Sequence, residues 1–158
     1  MTMTIDIGQS VPAFTVACTG DVTKLSSDAL LGKRYVLYFY PKDATPGCTL
    51  EGQQFRDLYA DFQALNCEIL GVSRDSVKLH EKFRSAECFP FPLLSDSDEA
   101  LCQQFDVIKT KNMYGKQVQG IERSTFLIDE QGVLRHAWRK VKADGHAAEV
   151  LEVLKRLS

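Results

Sequence analysis

One cysteine stands directly after a turn sequence in this chain, at the point where an apolar segment ends. The stretch YFYPKDATPGCTLEG (residues 38–52) holds Cys48 immediately after Thr45-Pro46-Gly47. Thr45 suits the N-cap of a helix and Pro46 its first position, which predicts that Cys48 lies in the first helical turn. The free amides and the positive end of the helix dipole favour a thiolate there. This pattern predicts nucleophilic chemistry at sulfur.

A thiolate at a helix start is not by itself a fast catalyst. A thiol that ionises more readily is also a weaker nucleophile, so the two effects largely cancel. A reactive Cys48 must therefore also position its substrate and stabilise the leaving oxygen. The candidate groups are the Thr45 hydroxyl, the backbone amides of Gly47 and Cys48, and an arginine from elsewhere in the chain. The alternative is that Cys48 is a small buried apolar residue, as many cysteines are.

The elements that must position Cys48 predict an α/β fold with a mixed central sheet flanked by helices. Apolar runs and helical periodicity predict strands at 36–40, 68–73 and 92–94, a helix that carries Phe55, Leu58, Phe62 and Leu65, helices at about 76–86, 99–105 and 147–157, and a hairpin of strands 125–128 and 133–138. Residues 108–118 are predicted to be irregular. The crossovers require parallel neighbours, and the hairpin supplies antiparallel ones. Sites in such sheets lie beyond the carboxyl ends of buried strands, where Cys48 falls.

Composition limits the classes of partner. A chain of 158 residues is most simply one domain, residues 1–158. The net charge of −2 and the absence of a basic run argue against nucleic acid and acidic membranes as partners. The longest apolar runs are too short to span a bilayer. The start MTMTIDIGQS lacks the basic-then-apolar pattern of an export signal, so we expect a cytoplasmic protein.

The cysteines do not resemble a disulfide framework or a metal site. Their odd number and wide spacing differ from the pattern of secreted disulfide-rich domains. No two lie at metal-ligand spacing, and the three histidines are distant from them in sequence, so no metal site is predicted. The cysteines are Cys18, Cys48, Cys67, Cys88 and Cys102. Cys102 has an apolar helical context and is expected in the core, whereas Cys67 and Cys18 are expected to be bystanders.

Several segments resemble one protein family. Pro41, Thr45 and Cys48 form Pro-x-x-x-Thr-x-x-Cys, the peroxidatic motif of peroxiredoxins. The wider stretch YFYPKDATPGCTLEG resembles the bacterioferritin-comigratory protein (PrxQ) subfamily. The segments GVSRDSVKLHEKF, FPFPLLSD, FDVIKTKNMYGK and GIERSTFLID are similar to that subfamily as well, and they follow in the same order. The likeness thus covers nearly the whole chain.

The resemblance implies a fold and an activity. The fold would be thioredoxin-like, and the protein would be a thiol peroxidase without a cofactor. Its substrates would be hydrogen peroxide and organic hydroperoxides, and thioredoxin or a similar dithiol protein would reduce it. Relatives in this subfamily are often monomers, which implies a monomer here.

The resemblance also implies roles for individual residues. Cys48 would be the peroxidatic nucleophile and pass through a sulfenic acid. Thr45 would hold the thiolate and the peroxide, and Pro41 would shield the thiol from water. Arg123 would supply the cation, and Glu51 would orient it. From the residues alone, Arg123 is a surface arginine, Glu51 an ordinary first-turn acid, Thr45 an N-cap and Pro41 the end of a strand.

The chain departs from the subfamily at the resolving cysteine. Many members carry that cysteine five residues after the peroxidatic one, where this chain has Gln53, and others carry it at the position of Arg84. Cys88 lies four residues beyond Arg84, on the same face if the helix continues, or in a loop if Phe89-Pro90 ends the helix. Our hypothesis is that Cys88 resolves Cys48 through an intramolecular disulfide. The alternative is that an external thiol reduces Cys48 directly.

Two other function classes fit the same fold. A disulfide oxidoreductase needs an adjacent second thiol, and the chain has no Cys-x-x-Cys. A binding module without redox chemistry would have no need of Pro41, Thr45, Cys48 and Arg123 together. The sequence therefore favours the peroxidase.

Overall fold

A mixed sheet lies at the centre of the protein, and helices cover it. The computed structural model describes residues 5–20 and 23–157. The strands are β1 (Thr15–Cys18), β2 (Lys24–Ser26), β3 (Arg34–Phe39), β4 (Cys67–Ser73), β5 (Leu93–Ser95), β6 (Ile108–Met113), β7 (Lys116–Ile121), β8 (Ser124–Ile128) and β9 (Leu134–Trp138). The helices are α1 (Pro46–Asp57), α2 (Tyr59–Ala64), α3 (Val77–Glu87), α4 (Ala100–Gln104) and α5 (His146–Leu157), with a short 3-10 helix at Ser27–Leu30.

The main sheet has the order β2-β1-β5-β4-β3-β8-β9 among the described strands. The three central strands β5, β4 and β3 run parallel, and antiparallel pairs flank them on both sides. The parallel part follows from the helical crossovers, and the antiparallel part from the hairpins. The predicted mixed sheet and the predicted β8–β9 hairpin are confirmed.

Strand β3 is buried on both faces, which explains its continuous apolar run. Successive side chains of a strand point to opposite faces of the sheet. Leu37 and Phe39 accordingly join the apolar core on one face, whereas Val36 and Tyr38 join the core on the other. The second core also contains Cys48, so this cysteine is packed against the side of the sheet that carries α1, α3 and α5.

The helix after Cys48 is shorter than its periodicity predicts. A single helix through Phe55, Phe62 and Leu65 is wrong, because the chain breaks at Leu58 between α1 and α2. Leu58 has φ −102° and ψ 3°, and its N–H bonds to the carbonyl oxygens of both Gln54 and Phe55. The apolar spacing survives the break, since Phe55 and Phe62 are both fully buried.

The segment 108–118 is a hairpin, and our expectation of irregular structure there is wrong. Strands β6 and β7 pair along their whole length through a two-residue turn at Tyr114 and Gly115. Both turn residues have positive φ, 54° and 79°, as a type I′ turn requires. The sequence of this segment shows no apolar alternation that would predict strands. Backbone pairing and the turn stabilise the hairpin instead. It returns the chain to the sheet immediately before residue 123.

Residues 1–4 of the N-terminal segment, in which we looked for an export signal, lie outside the described residues. Within the described ranges, every helix falls short of the length and apolarity that a membrane span requires.

Gly71 allows the centre of the sheet to pack. A Cβ at this position would lie 2.8 Å from Cδ2 of Leu93 and 2.9 Å from the hydroxyl oxygen of Tyr38. Both neighbours are fully buried, so neither can move aside freely. Because overpacking a core costs about 1–3 kcal/mol, we expect Gly71→Ala to lower the free energy of unfolding by about that amount. Urea denaturation measures the change.

The matched control is Gly120→Ala on β7. The nearest atoms to a Cβ there belong to Lys111 and lie at 3.7 Å, which is ordinary contact. The free energy of unfolding should change by less than about 0.5 kcal/mol, as is usual for surface substitutions. Equal losses in the two variants would contradict the packing argument.

Candidate active site

The loop between β3 and α1 brings Cys48 to the carboxyl end of the central strands. The N–H of Tyr40 still bonds to the carbonyl of Val72 on β4, so the loop starts at the sheet edge. Ala44 has a positive φ of 62°, and this conformation turns the chain into α1. Pro46 is the first helical residue, and Cys48 lies in the first turn with 2% of its surface exposed. The thiol therefore lies at the helix start that the sequence predicts, and it is buried there.

Arg123 faces Cys48 from the segment between β7 and β8. Its backbone carbonyl accepts a hydrogen bond from the N–H of Val141, which fixes the chain at this position. One guanidinium nitrogen, Nη2, lies 3.4 Å from Sγ of Cys48. The other, Nη1, lies 2.7 Å from Oε1 of Glu51 on α1. A Cβ on residue 47 would be only 3.0 Å from Nη2, so Gly47 is what lets the guanidinium approach the helix start.

Burial strengthens the electrostatic interaction between Glu51 and Arg123. Glu51 is fully buried, and desolvation raises its pKa to about 7 although Arg123 lowers it. Its second oxygen, Oε2, has no hydrogen-bond partner among the described residues. Burial alone would lower the pKa of Arg123, but Glu51 and Cys48 together raise it above its ordinary value. The guanidinium therefore stays charged and is shared between a carboxylate and a sulfur atom.

Thr45 and Pro41 lie in the same loop, and both are partly exposed. Thr45 occupies the N-cap position, and its carbonyl accepts the N–H of Thr49. Its hydroxyl, however, makes no capping bond and instead donates to the carbonyl of Lys42 at 2.8 Å. The capping function we expected of that oxygen is wrong, because the hydroxyl tightens the loop. Pro41 follows Tyr40, whose N–H still bonds to Val72 on β4, and a residue without an N–H ends the strand pairing there.

Cys88 ends α3 in a left-handed conformation. Helix α3 stops at Glu87, and Cys88 is its C-cap, with φ 56° and ψ 42°. The helix therefore does not continue through Cys88, and the residue is exposed. The C-terminal end of α3 is joined to α1 by Gln53, whose amide donates to the Glu87 carboxylate at 2.8 Å. Arg56 also donates to the Glu87 carbonyl at 2.9 Å.

The remaining cysteines are buried. Cys102 is fully buried on α4, which confirms that it belongs to the core. Desolvation is the largest cause that raises the pKa of Cys102 above its ordinary range and that of Cys67 to about 12. Burial also raises the pKa of Cys18. These three thiols are less available as thiolates than an exposed cysteine would be.

Two polar residues near the site, Asp43 and His80, were not predicted from the sequence. Asp43, in the loop before Thr45, contacts His80 on α3 at 2.7 Å. The sequence holds a signal for each of them. Asp43 lies in the loop at the carboxyl end of a buried strand, and His80 lies three residues before Phe83 on the apolar face of the predicted helix. Their contact itself depends on the fold, since 37 residues separate them.

A buried thiol at a helix start after a central strand, faced by a guanidinium and carried by a mixed sheet with helices, defines a thiol peroxidase site. The AhpC/TSA family model matches residues 7–137, and the chain belongs to this family. The predicted resemblance to peroxiredoxins is confirmed, and the chain is a peroxidase of this class.

Individual relatives narrow the comparison. Peroxiredoxin Bcp of Xanthomonas campestris is 59% identical over 133 residues, which cover 84% of this chain and 83% of the relative. Peroxiredoxin Bcp of Bacillus subtilis is 50% identical over 157 residues and 99% of each chain. The crystal structure of a Xylella fastidiosa PrxQ mutant superposes with a TM-score of 0.93 at 45% identity and covers 98% of both chains.

A further solved structure comes from the bacterioferritin comigratory protein of Xanthomonas campestris. It has a TM-score of 0.86 at 54% identity, covers 91% of each chain, and concerns that protein's alkyl peroxide reduction activity and its trapped intermediate and ligand complexes. These neighbours confirm the predicted thioredoxin-like fold.

His146 makes the stability of the fold depend on pH. Its ring is buried, with Nε2 2.7 Å from Oγ1 of Thr125, and burial followed by the charge of Arg123 lowers its pKa to about 4. The unfolded chain takes up this proton near pH 6.5, whereas the folded chain does not until about pH 4. The free energy of unfolding should therefore fall as the pH drops from about 6.5 to 4, by about 3 kcal/mol in total.

Denaturation curves at a series of pH values test this expectation. His146→Gln keeps a side chain that can bond to Thr125 but removes the titration, so its stability should fall less between pH 6.5 and 4. His136→Gln, on the partly exposed face of β9, is the matched control and should follow the parent. Parallel curves for parent and His146→Gln would show that His146 does not cause the loss.

Proposed function

We propose that Cys48 reduces hydrogen peroxide and organic hydroperoxides by direct attack on a peroxide oxygen. The observation that carries this proposal is the contact of 3.4 Å between Nη2 of Arg123 and Sγ of Cys48. The thiolate is the nucleophilic form of cysteine, and this contact places a fixed positive charge beside the sulfur that carries its negative charge. The same guanidinium is held on its other side by Glu51, so it need not reorganise during the reaction.

The reaction breaks the O–O bond. The Cys48 thiolate attacks one peroxide oxygen, and the S–O bond forms as the O–O bond breaks. Sulfur is oxidised to the sulfenic acid, and the second oxygen leaves as hydroxide or alkoxide, which takes a proton from solvent to give water or an alcohol. Arg123 stabilises the negative charge as it moves from sulfur to the leaving oxygen.

We assign supporting roles to three further residues. The Thr45 hydroxyl, which bonds to the Lys42 carbonyl at rest, can turn to the thiolate or the peroxide when substrate binds. Pro41 shields the Cys48 thiol from water. Glu51 orients Arg123, and its buried salt bridge of 2.7 Å supports this role.

We also propose that Cys88 resolves the sulfenic acid. Its thiol would attack the Cys48 sulfur, form a disulfide and release water. Cys88 is the exposed cysteine, whereas Cys18, Cys67 and Cys102 are buried with raised pKa values. Direct reduction of Cys48 by an external thiol is the alternative. Thioredoxin or a similar dithiol protein would then reduce the disulfide.

The remaining assignments follow the relatives and the sequence. We propose that residues 1–158 act as one domain and as a monomer, without a cofactor or a metal. We further propose that the protein works in the cytoplasm, because an odd number of widely spaced cysteines suits a reducing compartment.

Replacement of the nucleophile tests the peroxidase directly. We expect Cys48→Ser to reduce peroxide consumption with dithiothreitol as donor to the rate without enzyme, because a serine hydroxyl cannot be oxidised by peroxide. Cys102→Ala is the matched control and should keep the parent rate, since Cys102 lies in the core of the opposite sheet face. A Cys48→Ser variant as active as the parent would refute the mechanism.

Disulfide mapping tests the resolving residue. After one equivalent of peroxide, mass spectrometry of peptides should show a Cys48–Cys88 link in the parent. Cys88→Ser should lack the link, lose turnover with thioredoxin by about 10-fold or more, and keep activity with dithiothreitol, since a small thiol can reach the sulfenic acid directly. A Cys48–Cys102 link, or no link at all, would exclude Cys88 as the resolving cysteine.

A further inference from the structure

Asp43 connects the loop before Cys48 to three other parts of the fold. Its Oδ1 accepts the Tyr40 hydroxyl at 2.6 Å, and its Oδ2 lies 2.7 Å from Nδ1 of His80. Its backbone N–H donates to Oδ2 of Asp75 at 2.9 Å, and the Ser73 hydroxyl holds the same oxygen at 2.7 Å. The Asp43 side chain is 6% exposed and that of His80 is 0% exposed, so water competes little with these bonds.

Hydrogen bonds hold the His80 ring at both of its nitrogens. One nitrogen, Nε2, lies 2.9 Å from the carbonyl oxygen of Leu94 on β5. A carbonyl oxygen can only accept, so Nε2 is the donor in this contact. The other nitrogen, Nδ1, lies at hydrogen-bond distance from Oδ2 of Asp43. The ring therefore ties Asp43 to the backbone of β5, and it cannot turn away without breaking a buried hydrogen bond.

Asp43, Asp75 and His80 offer the atom types that bind metal ions. One ligand atom from each of Asp43, Asp75 and His80 lies within 4.8 Å of the others. The contact of 2.7 Å between Nδ1 and Oδ2 is a hydrogen-bond distance, and Oδ2 of Asp75 already accepts two bonds. The geometry therefore favours a hydrogen-bonded clamp between the loop and α3.

We propose that Asp43 and His80 form a clamp that holds the Cys48 loop in position for peroxide attack and must open before Cys48 can form a disulfide. Asp43 and His80 are positioning residues, which act through the loop rather than on the peroxide. This inference rests on the proposed function. It adds that one contact controls both peroxide attack and disulfide formation.

The burial of Cys48 explains why one clamp affects the two steps in opposite directions. With 2% of its surface exposed, Cys48 faces Arg123 in the closed loop, and a small peroxide is attacked there. A disulfide requires a second sulfur at about 2.05 Å, which needs Cys48 to leave this position together with the first turn of α1. The clamp ties the loop to the first turn of α3, the helix whose C-cap is Cys88, so its release frees the Cys48 loop from that helix.

Two rates measured on the same variants test the clamp. We would compare Asp43→Asn, His80→Gln and the double variant with the parent. The first readout is the rate of sulfenic acid formation at Cys48 by stopped flow in a Cys88→Ser background. The second is the alkylation rate of Cys48 by iodoacetamide, followed for each cysteine by mass spectrometry. Alkylation of Cys102, which is fully buried, reports global unfolding.

Opposite shifts in the two rates would support the clamp. We expect the single variants to form sulfenic acid about 10-fold more slowly, because a displaced nucleophile loses its alignment, and to be alkylated about 10-fold faster. In the double variant each rate should change by less than the two single changes combined, as is usual for residues in direct contact. Tyr40→Phe removes only the hydroxyl that holds Asp43 and should shift both rates in the same directions by less. His136→Gln is the matched control and should leave both rates unchanged.

Three outcomes would overturn the clamp. These are unchanged rates in the Asp43 and His80 variants, a fall in both rates, or alkylation of Cys102 that rises in step with that of Cys48. If Asp43→Asn or His80→Gln does not fold, the two rates of Tyr40→Phe test the clamp instead. The alkylation readout needs no peroxide chemistry, so a failed clamp and a failed peroxidase assignment give different results.

Discussion

One partly buried guanidinium organises the site. Arg123 joins Glu51 on α1 to the sulfur of Cys48 in the first turn of the same helix. A buried charge without partners would cost several kcal/mol, so the fold must supply both a carboxylate and a second anion or polar atom. The requirement explains the glycine at position 47, because a larger residue would meet Nη2 at 3.0 Å. It also explains why the β6–β7 hairpin must return the chain to the sheet immediately before Arg123.

The two sides of the Cys48 loop are held by different chemistry. On one side Arg123 supplies a charge next to the reacting sulfur. On the other side Asp43 and His80 tie the loop to α3 through hydrogen bonds that are largely removed from water. The first contact places a positive charge beside the sulfur, whereas the second holds the loop that carries the sulfur. A thiol at a helix start gains little reactivity from the helix alone, and so both contacts are needed.

Local patterns predicted most of the scaffold. The buried strand, the helix start at Pro46 and the β8–β9 hairpin each depend on residues within a few positions of one another. The two wrong predictions of secondary structure have the same origin. In the β6–β7 hairpin only the Ile108–Ile121 pair, at the open end, packs on the core among the described side chains, and the break at Leu58 has no proline or glycine beside it. In both places backbone hydrogen bonding decides the structure with little signal from apolar periodicity.

The sequence by itself determined the helix start that carries Cys48, because the Thr-Pro-Gly-Cys order acts through neighbouring residues. Arg123, Asp43 and His80 were different. Arg123 was found by family resemblance alone, and the Asp43–His80 pair was not found at all. Only the tertiary structure brings these charges to the loop, since contacts across 37 and 75 residues depend on strand order and helix packing. Burial then gives them their strength, and burial is a property of the fold rather than of any segment.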